Sequence, residues 1–260
     1  MRGYTRGIKF SKHVIFCLAG LFMANVCLAA EDAIEIVKAE GTVATKDSSG
    51  EQERAVASKS ILLPKNVLTT GSNGRAVVRM GHAGIVVLGK NSKIEIDNSK
   101  DNAGFLRQIT GTIYYATNSI KGNQTIEVRT PKAIVGIRGT RFLIVDLPDR
   151  NEIDVRKGVV SVTSPDGEFE IHRKAEQQEF EAYKQEGKDA IAKEKRAFDE
   201  YKDKIQREFV EYKREFSLGA NRMASFNGEH VDDRPLSTES IKDMEAAESY
   251  AEEWLKEVRD

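Results

Sequence analysis

From about Ala33 to Ile171 the chain repeats short apolar or alternating runs, each bounded by Gly, Asn, Asp or Pro. That rhythm predicts β-strands. Ile34-Glu35-Ile36-Val37 opens the series. Arg75 to Met80, Gly84 to Gly89, Lys93 to Asp97 and Gly111 to Ala116 follow. Thr125 to Arg129, Arg141 to Val145, Glu152 to Arg156 and Val159 to Thr163 complete it. Ile126/Val128 and Ile153/Val155 alternate with charged residues, so these strands have one wet face. Ile85 to Leu88 and Phe142 to Val145 have no polar face and are expected to be covered on both sides. Runs spaced by roughly ten residues, with turn signals between them, fit a sandwich, a barrel or a β-solenoid. Periodicity does not choose among them.

The period changes after Ile171. From 173 to 217 Glu, Lys, Gln and Ala dominate without a proline, and large apolar residues recur from Phe180 to Phe216. Those two are about ten turns apart at ~3.6 residues per turn, so the stripe predicts a long, straight amphipathic helix. Phe-x-x-Tyr-Lys recurs at Phe180, Phe198 and Phe209. Its steps match whole helical turns and are not multiples of seven, which argues against a leucine-zipper seam. Phe180, Tyr183, Phe198, Tyr201, Phe209, Tyr212 and Phe216 are therefore candidate interface residues, covered by the β-domain or by another chain. Leu218-Gly219 stops the helix, 218–236 reads as a linker, and Ser237 or Thr238 caps a short C-terminal helix over 237–259. Trp254, the one tryptophan, is expected to be a partly buried anchor there. The fold expected is mainly β: an all-β domain over 33–171, solenoid-like or sandwich-like, then the long helix and the short one.

The first residues belong to neither pattern. Arg2, Arg6, Lys9 and Lys12 precede an apolar run from Val14 to Leu28, and Cys27-Leu28-Ala29 is a small-x-small cleavage site. Residues 1–29 read as an export signal, with an uncleaved inner-membrane anchor as the alternative. The 260 residues carry 40 Lys+Arg and 41 Asp+Glu, a formal net charge of −1. Without the four basic leader residues, 36 basic face 41 acidic and the net charge becomes −5. That balance disfavours nucleic acid and anionic membrane surfaces as partners. Cys17 and Cys27 leave with the leader, so the exported chain has neither a disulfide nor a thiolate metal ligand.

Two stretches carry a recognisable signature. Asn66-Val67-Leu68-Thr69-Thr70-Gly71-Ser72-Asn73-Gly74-Arg75-Ala76 places a Thr-Gly turn before a strand. Val128 to Phe142 contains Thr130-Pro131 and then Arg138-Gly139-Thr140-Arg141-Phe142, followed by Val155-Arg156-Lys157-Gly158-Val159-Val160. From Gly41 to Gly167 the sequence resembles the FecR domain family, with Gly71, Gly74, Thr130, Pro131, Gly136, Arg138, Gly139, Thr140, Phe142 and Gly158 as the signature. The resemblance implies an exported all-β interaction domain without catalytic residues. In the family's regulatory members the domain lies in the periplasm behind a transmembrane helix and a cytoplasmic anti-sigma segment. Here only about a dozen residues precede Val14, so the expectation is a stand-alone periplasmic FecR-like module with a helical tail. By their own chemistry, Gly136 and Gly139 suit tight turns or close backbone approach, and Pro131 suits the first residue of a strand. Arg138-Gly139-Thr140 is either architectural or a partner contact.

No catalytic, metal or cofactor residue is nominated. His82, His172 and His230 lie far apart without ligand-like spacing and read as surface or strand-end residues. Gly84 to Asn91 comes near a phosphate-binding loop, but Asn91 stands where a hydroxyl is needed and the interior is a β-branched strand. The function expected is a non-enzymatic periplasmic module that binds another envelope protein, in signalling or assembly. The competing readings are a structural envelope protein self-associating through the aromatic helix, and a glycan binder or hydrolase. Hydrolysis would require two carboxylates facing across a cleft.

Overall fold

The computed structural model describes residues 33–47, 53–97, 105–119, 126–173 and 209–258. Nineteen strands run through them: β1 (Ile34–Glu40), β2 (Val43–Lys46), β3 (Glu53–Ala55), β4 (Ser60–Leu62), β5 (Val67–Thr70), β6 (Arg75–Met80), β7 (Gly84–Leu88), β8 (Lys93–Asp97), β9 (Phe105–Thr117), β10 (Ile126–Arg129), β11 (Ile134–Ile137), β12 (Arg141–Asp146), β13 (Asn151–Lys157), β14 (Val159–Thr163), β15 (Phe169–Arg173), β16 (Phe209–Lys213), β17 (Glu215–Gly219), β18 (Arg222–Asn227) and β19 (His230–Pro235). Two helices close the chain, α1 (Thr238–Tyr250) and α2 (Glu252–Leu255).

Pairing sorts the strands into two sheets. The first has the order β4-β1-β6-β7-β9-β12-β13-β18-β19-β15-β16. The second has the order β3-β2-β5-β8-β9-β10-β11-β14-β17. Pairing is antiparallel except for β9–β10 and β15–β19. The sheets face each other across one apolar core that holds Leu68, Val78, Val86, Tyr115, Phe142, Ile144, Val160 and Leu218. This is a two-sheet sandwich, whose open edges among the described residues distinguish it from a closed barrel.

The strand β9 belongs to both sheets, because Gly111 lets it turn the corner. Residues 105–110 pair with β8, and from Gly111 onward the strand pairs with β12. Gly111 has φ +103°, and a Cβ there would lie 2.3–2.6 Å from the backbone and side chain of Ser92. Only a residue without a side chain permits that approach.

The strands without a polar face are covered on both sides, as their patterns demand. One face of β7 and β12 contributes to the inter-sheet core. The other contributes Ile85, Val87, Leu143 and Val145 to a second apolar cluster with Met244, Tyr250, Ala251 and Val258 of the C-terminal segment. Ser237 caps α1, its Oγ accepting a hydrogen bond from the Ser240 amide at 3.0 Å. Trp254 is partly buried and packs on the same cluster. The layers are thus helix, first sheet, second sheet.

The tail differs from its sequence-based expectation. Most of the stripe expected to be helical, including Phe180, Tyr183, Phe198 and Tyr201, lies outside the described residues. Its final part is not helical: Phe209 and Tyr212 fall on β16 and Phe216 on β17. Around Phe216 the true period is two. Phe216 and Leu218 are buried while Glu215 and Ser217 are exposed, and Phe216 meets Phe169 edge-on at 5.7 Å between centroids. The spacing of Phe209, Tyr212 and Phe216 spans two different strands, so its resemblance to a helical stripe is coincidental. Edge pairing with β15 and β14 overrides the helix preference of Glu and Lys. The expected linker over 218–236 is also strand. Its Ala224, Phe226 and Val231 alternate into the core, and a two-residue turn at Gly228-Glu229 joins β18 to β19.

Candidate interaction face

Most signature residues occupy the corners where the chain crosses between sheets. Thr70 ends β5, its hydroxyl donating to the Gly89 carbonyl at 2.6 Å and accepting from the Ser92 amide at 2.9 Å. The following corner is tight: a Cβ on Gly74 would lie 2.1 Å from the Thr42 carbonyl oxygen. At the other side of the sandwich, Gly139 and Thr140 turn the chain from β11 into β12. The Thr140 amide donates to Thr117 Oγ1 at 3.1 Å, and the Thr117 amide donates back to the Thr140 carbonyl at 3.0 Å. Gly158 rests against Thr140, and Phe142 stacks on Tyr115 at 4.9 Å.

One signature glycine and the proline differ from their expected roles. Gly136 lies inside β11, paired with Glu127 and Ser161, and does not form a turn. Pro131 lies in the β10–β11 turn ahead of the strand, where the Thr130 hydroxyl accepts from the amides of Lys132 and Ala133 at 3.1 and 2.9 Å. Thr130 thus shapes the hairpin, and Pro131 needs no amide hydrogen there.

Arg138 is exposed. It borders a shallow hollow of about 520 Å³ on the outer face of the second sheet, over β10, β11, β14 and β17. The absent side chain of Gly136 helps to hollow the floor. Ile134, Val159, Ser161 and Glu215 line it with Arg138, and Val159 is 55% exposed. Apolar contact area, one guanidinium and carboxylates on an open sheet face suit a protein or peptide surface better than an enclosed small molecule.

Residues 66–161 match the family model described as FecR protein. The chain carries a FecR domain. The match runs from just before β5 into β14, so it takes in the glycine corners and β11 but leaves the C-terminal strands and helices outside. No curated protein matches the chain. Two crystal structures of a "putative anti-sigma factor" from Parabacteroides distasonis ATCC 8503, at 2.50 and 1.65 Å resolution, are similar in structure. Each is 12% identical with a TM-score of 0.45 over 68% of this chain and 62% of that chain. The chain therefore spans less than two thirds of those proteins.

Three ionisable groups with displaced behaviour, Asp154, Arg150 and Tyr114, lie where the helix covers the first sheet, away from the hollow. Asp154 is fully buried on β13. Burial pushes its carboxyl up to about 7, with Glu152 adding to the effect and Ser240 and Arg150 opposing it. Neither oxygen has a hydrogen-bond partner in full bonding geometry, and the nearest Arg150 nitrogen is 4.0 Å away. Ser240 shares its hydroxyl with Ser237 at 2.7 Å, so it offsets only part of the burial. Arg150 itself bridges to α1 through Asp243 at 2.8 Å and Glu239 at 3.2 Å. Burial and a 2.7 Å hydrogen bond to Glu248 also hold the Tyr114 hydroxyl well above its usual range. These contacts dock the helix on the first sheet.

Among the candidate interface residues, Phe216 is a core residue at 4% exposure and Tyr212 stands at 65%. Phe209 begins β16, opposite Arg173. One grouping was invisible in the sequence: His172 and His230 meet across the β15–β19 ladder. Nothing in their spacing signals this, because the pairing is parallel and joins distant segments.

Proposed function

We propose that this protein is a non-enzymatic, exported FecR-domain module that binds another protein of the cell envelope, in signalling or assembly. The observation that carries the reading is the hollow on the second sheet. It lies within reach of the signature corner, with Val159 held outward on β14, whose other face is locked in the core, and Arg138 in the bend that follows β11. The basic and apolar leader of residues 1–29 supports a periplasmic location, and the acidic balance of the remainder supports a protein partner over nucleic acid. With Phe216 in the core, the aromatic stripe is a weaker basis for self-association than the open sheet face is for partner binding.

Val159→Asp and Arg138→Glu test the proposal, since both positions are exposed and tolerate polar change. The wild-type chain is immobilised and an envelope extract of the source cell is passed over it. Specific capture that both variants abolish, with thermal unfolding unchanged, supports the face. Capture that survives both substitutions removes it as the binding site.

A further inference from the structure

The parallel ladder of β15 and β19 sets Glu170 opposite His230 and His172 opposite Asp232. The intervening Ile171 and Val231 point into the inter-sheet core. By strand alternation, all four polar side chains share the outer face of the first sheet. There the His172 and His230 rings lie 4.0 Å apart between centroids. His172 Nε2 is 3.0 Å from Glu170 Oε1, and His230 Nε2 is 3.3 Å from Asp232 Oδ1.

We propose that Glu170, His172 and His230 form a binding site for a divalent transition-metal cation of the Zn²⁺ class. One donor atom from each residue lies within 4.8 Å of the others, the only such His/carboxylate grouping among the described residues. Tetrahedral Zn²⁺ with ligands at about 2.0–2.1 Å needs donors about 3.4 Å apart. Side-chain rotation, with no change in strand pairing, closes the difference. Two imidazoles and one carboxylate, without a thiolate, suit a borderline cation over Ca²⁺ or Mg²⁺, which prefer oxygen alone. Asp232 stands beside His230 as the carboxylate that orients a ligating imidazole. The side chains of Glu170 and His230 are 39% and 38% exposed and that of His172 is 10% exposed, so a cation reaches the site from solvent while one ligand stays anchored.

Three protein ligands leave a coordination position for water or for a side chain of a partner. The cation would clamp β15, which precedes residues 174–208, to β19, which leads into the capping helix. Binding the folded state alone, it would raise stability in proportion to its concentration.

The test uses the full chain without an affinity tag. Calorimetric titration with ZnCl₂ is expected to show one equivalent bound, and His230→Ala to weaken that binding at least tenfold. Glu170→Gln is expected to weaken it as well. Circular dichroism confirms that His230→Ala, at a half-exposed position, keeps its strands. Zn²⁺ should raise the melting temperature of the wild type and leave that of His230→Ala unchanged. Absence of a single bound equivalent, or equal affinity in wild type and His230→Ala, overturns the proposal.

Discussion

Replacing Asp154 by Asn keeps the shape of the side chain and removes a charge that the fold buries beneath α1. The carboxyl moves from an ordinary 3.8 to about 7 on folding. At about 1.4 kcal/mol per pH unit, keeping it ionised costs the native state about 4 kcal/mol above pH 7. The sign follows from proton counting. Between pH 4 and 7 the native state holds the proton on Asp154 and the unfolded chain does not, so this group makes stability fall as pH rises. Its penalty is complete above about pH 7 and absent below about pH 4. Asp154→Asn should therefore be more stable than the wild type by roughly 2–4 kcal/mol at pH 8, and nearly equal to it at pH 4. For a chain of this size that is a gain of about 5 °C or more in melting temperature at pH 8. Urea unfolding of both proteins at intervals from pH 4 to 8 reads the difference directly, and titrations shared by the two cancel. A variant less stable than wild type at pH 8, or a difference that does not change with pH, would refute the reasoning.

Other positions give sharper contrasts between neighbours. Phe216→Ala should cost about 3–5 kcal/mol by chemical denaturation, because its ring fills the core between β14, β15 and β18, whereas Tyr212→Ala should change stability by under about 0.5 kcal/mol. A helical stripe would have made the two losses similar. Gly111→Ala should destabilise by about 3 kcal/mol or more, since the added methyl meets Ser92 and the backbone keeps a positive φ; a variant that melts with the wild type excludes the corner geometry. Gln108→Leu should cost about 1–3 kcal/mol. The Gln108 amide donates to the carbonyls of Gly111 and Ile144, and its oxygen accepts from the buried Tyr115 hydroxyl at 2.9 Å.

Strand positions through the first half of the chain were legible because their alternation is local. Ile126/Val128 and Ile153/Val155 reveal their buried face without reference to any partner strand. The two-sided burial of β7 and β12 was equally legible from their uninterrupted apolar runs, although what covers them was not. Residues 209–235 were misread for a physical reason. A short edge strand rich in Glu and Lys has a weak local preference for helix, and pairing overrides it. Spacing of aromatic residues across two such strands imitates a helical period. The Gly136 position shows a similar ambiguity: glycine there reads as a turn, yet it is an interior strand residue under an open face.

By itself the sequence determined the strand spacing through the first half, the glycines at the corners, a hydroxyl cap at Ser237 or Thr238 and the charge difference between residues 1–29 and the remainder, all of which depend on neighbours close along the chain. Only the tertiary structure decided that the tail returns as four strands and that Asp154 lies without a full hydrogen-bond partner beneath α1. It also brought His172 and His230, 58 positions apart in the chain, onto one face of the same ladder, two rungs apart. Those outcomes depend on which strands pair, and pairing is settled by burying both sheets and the helix at once, which no local pattern encodes.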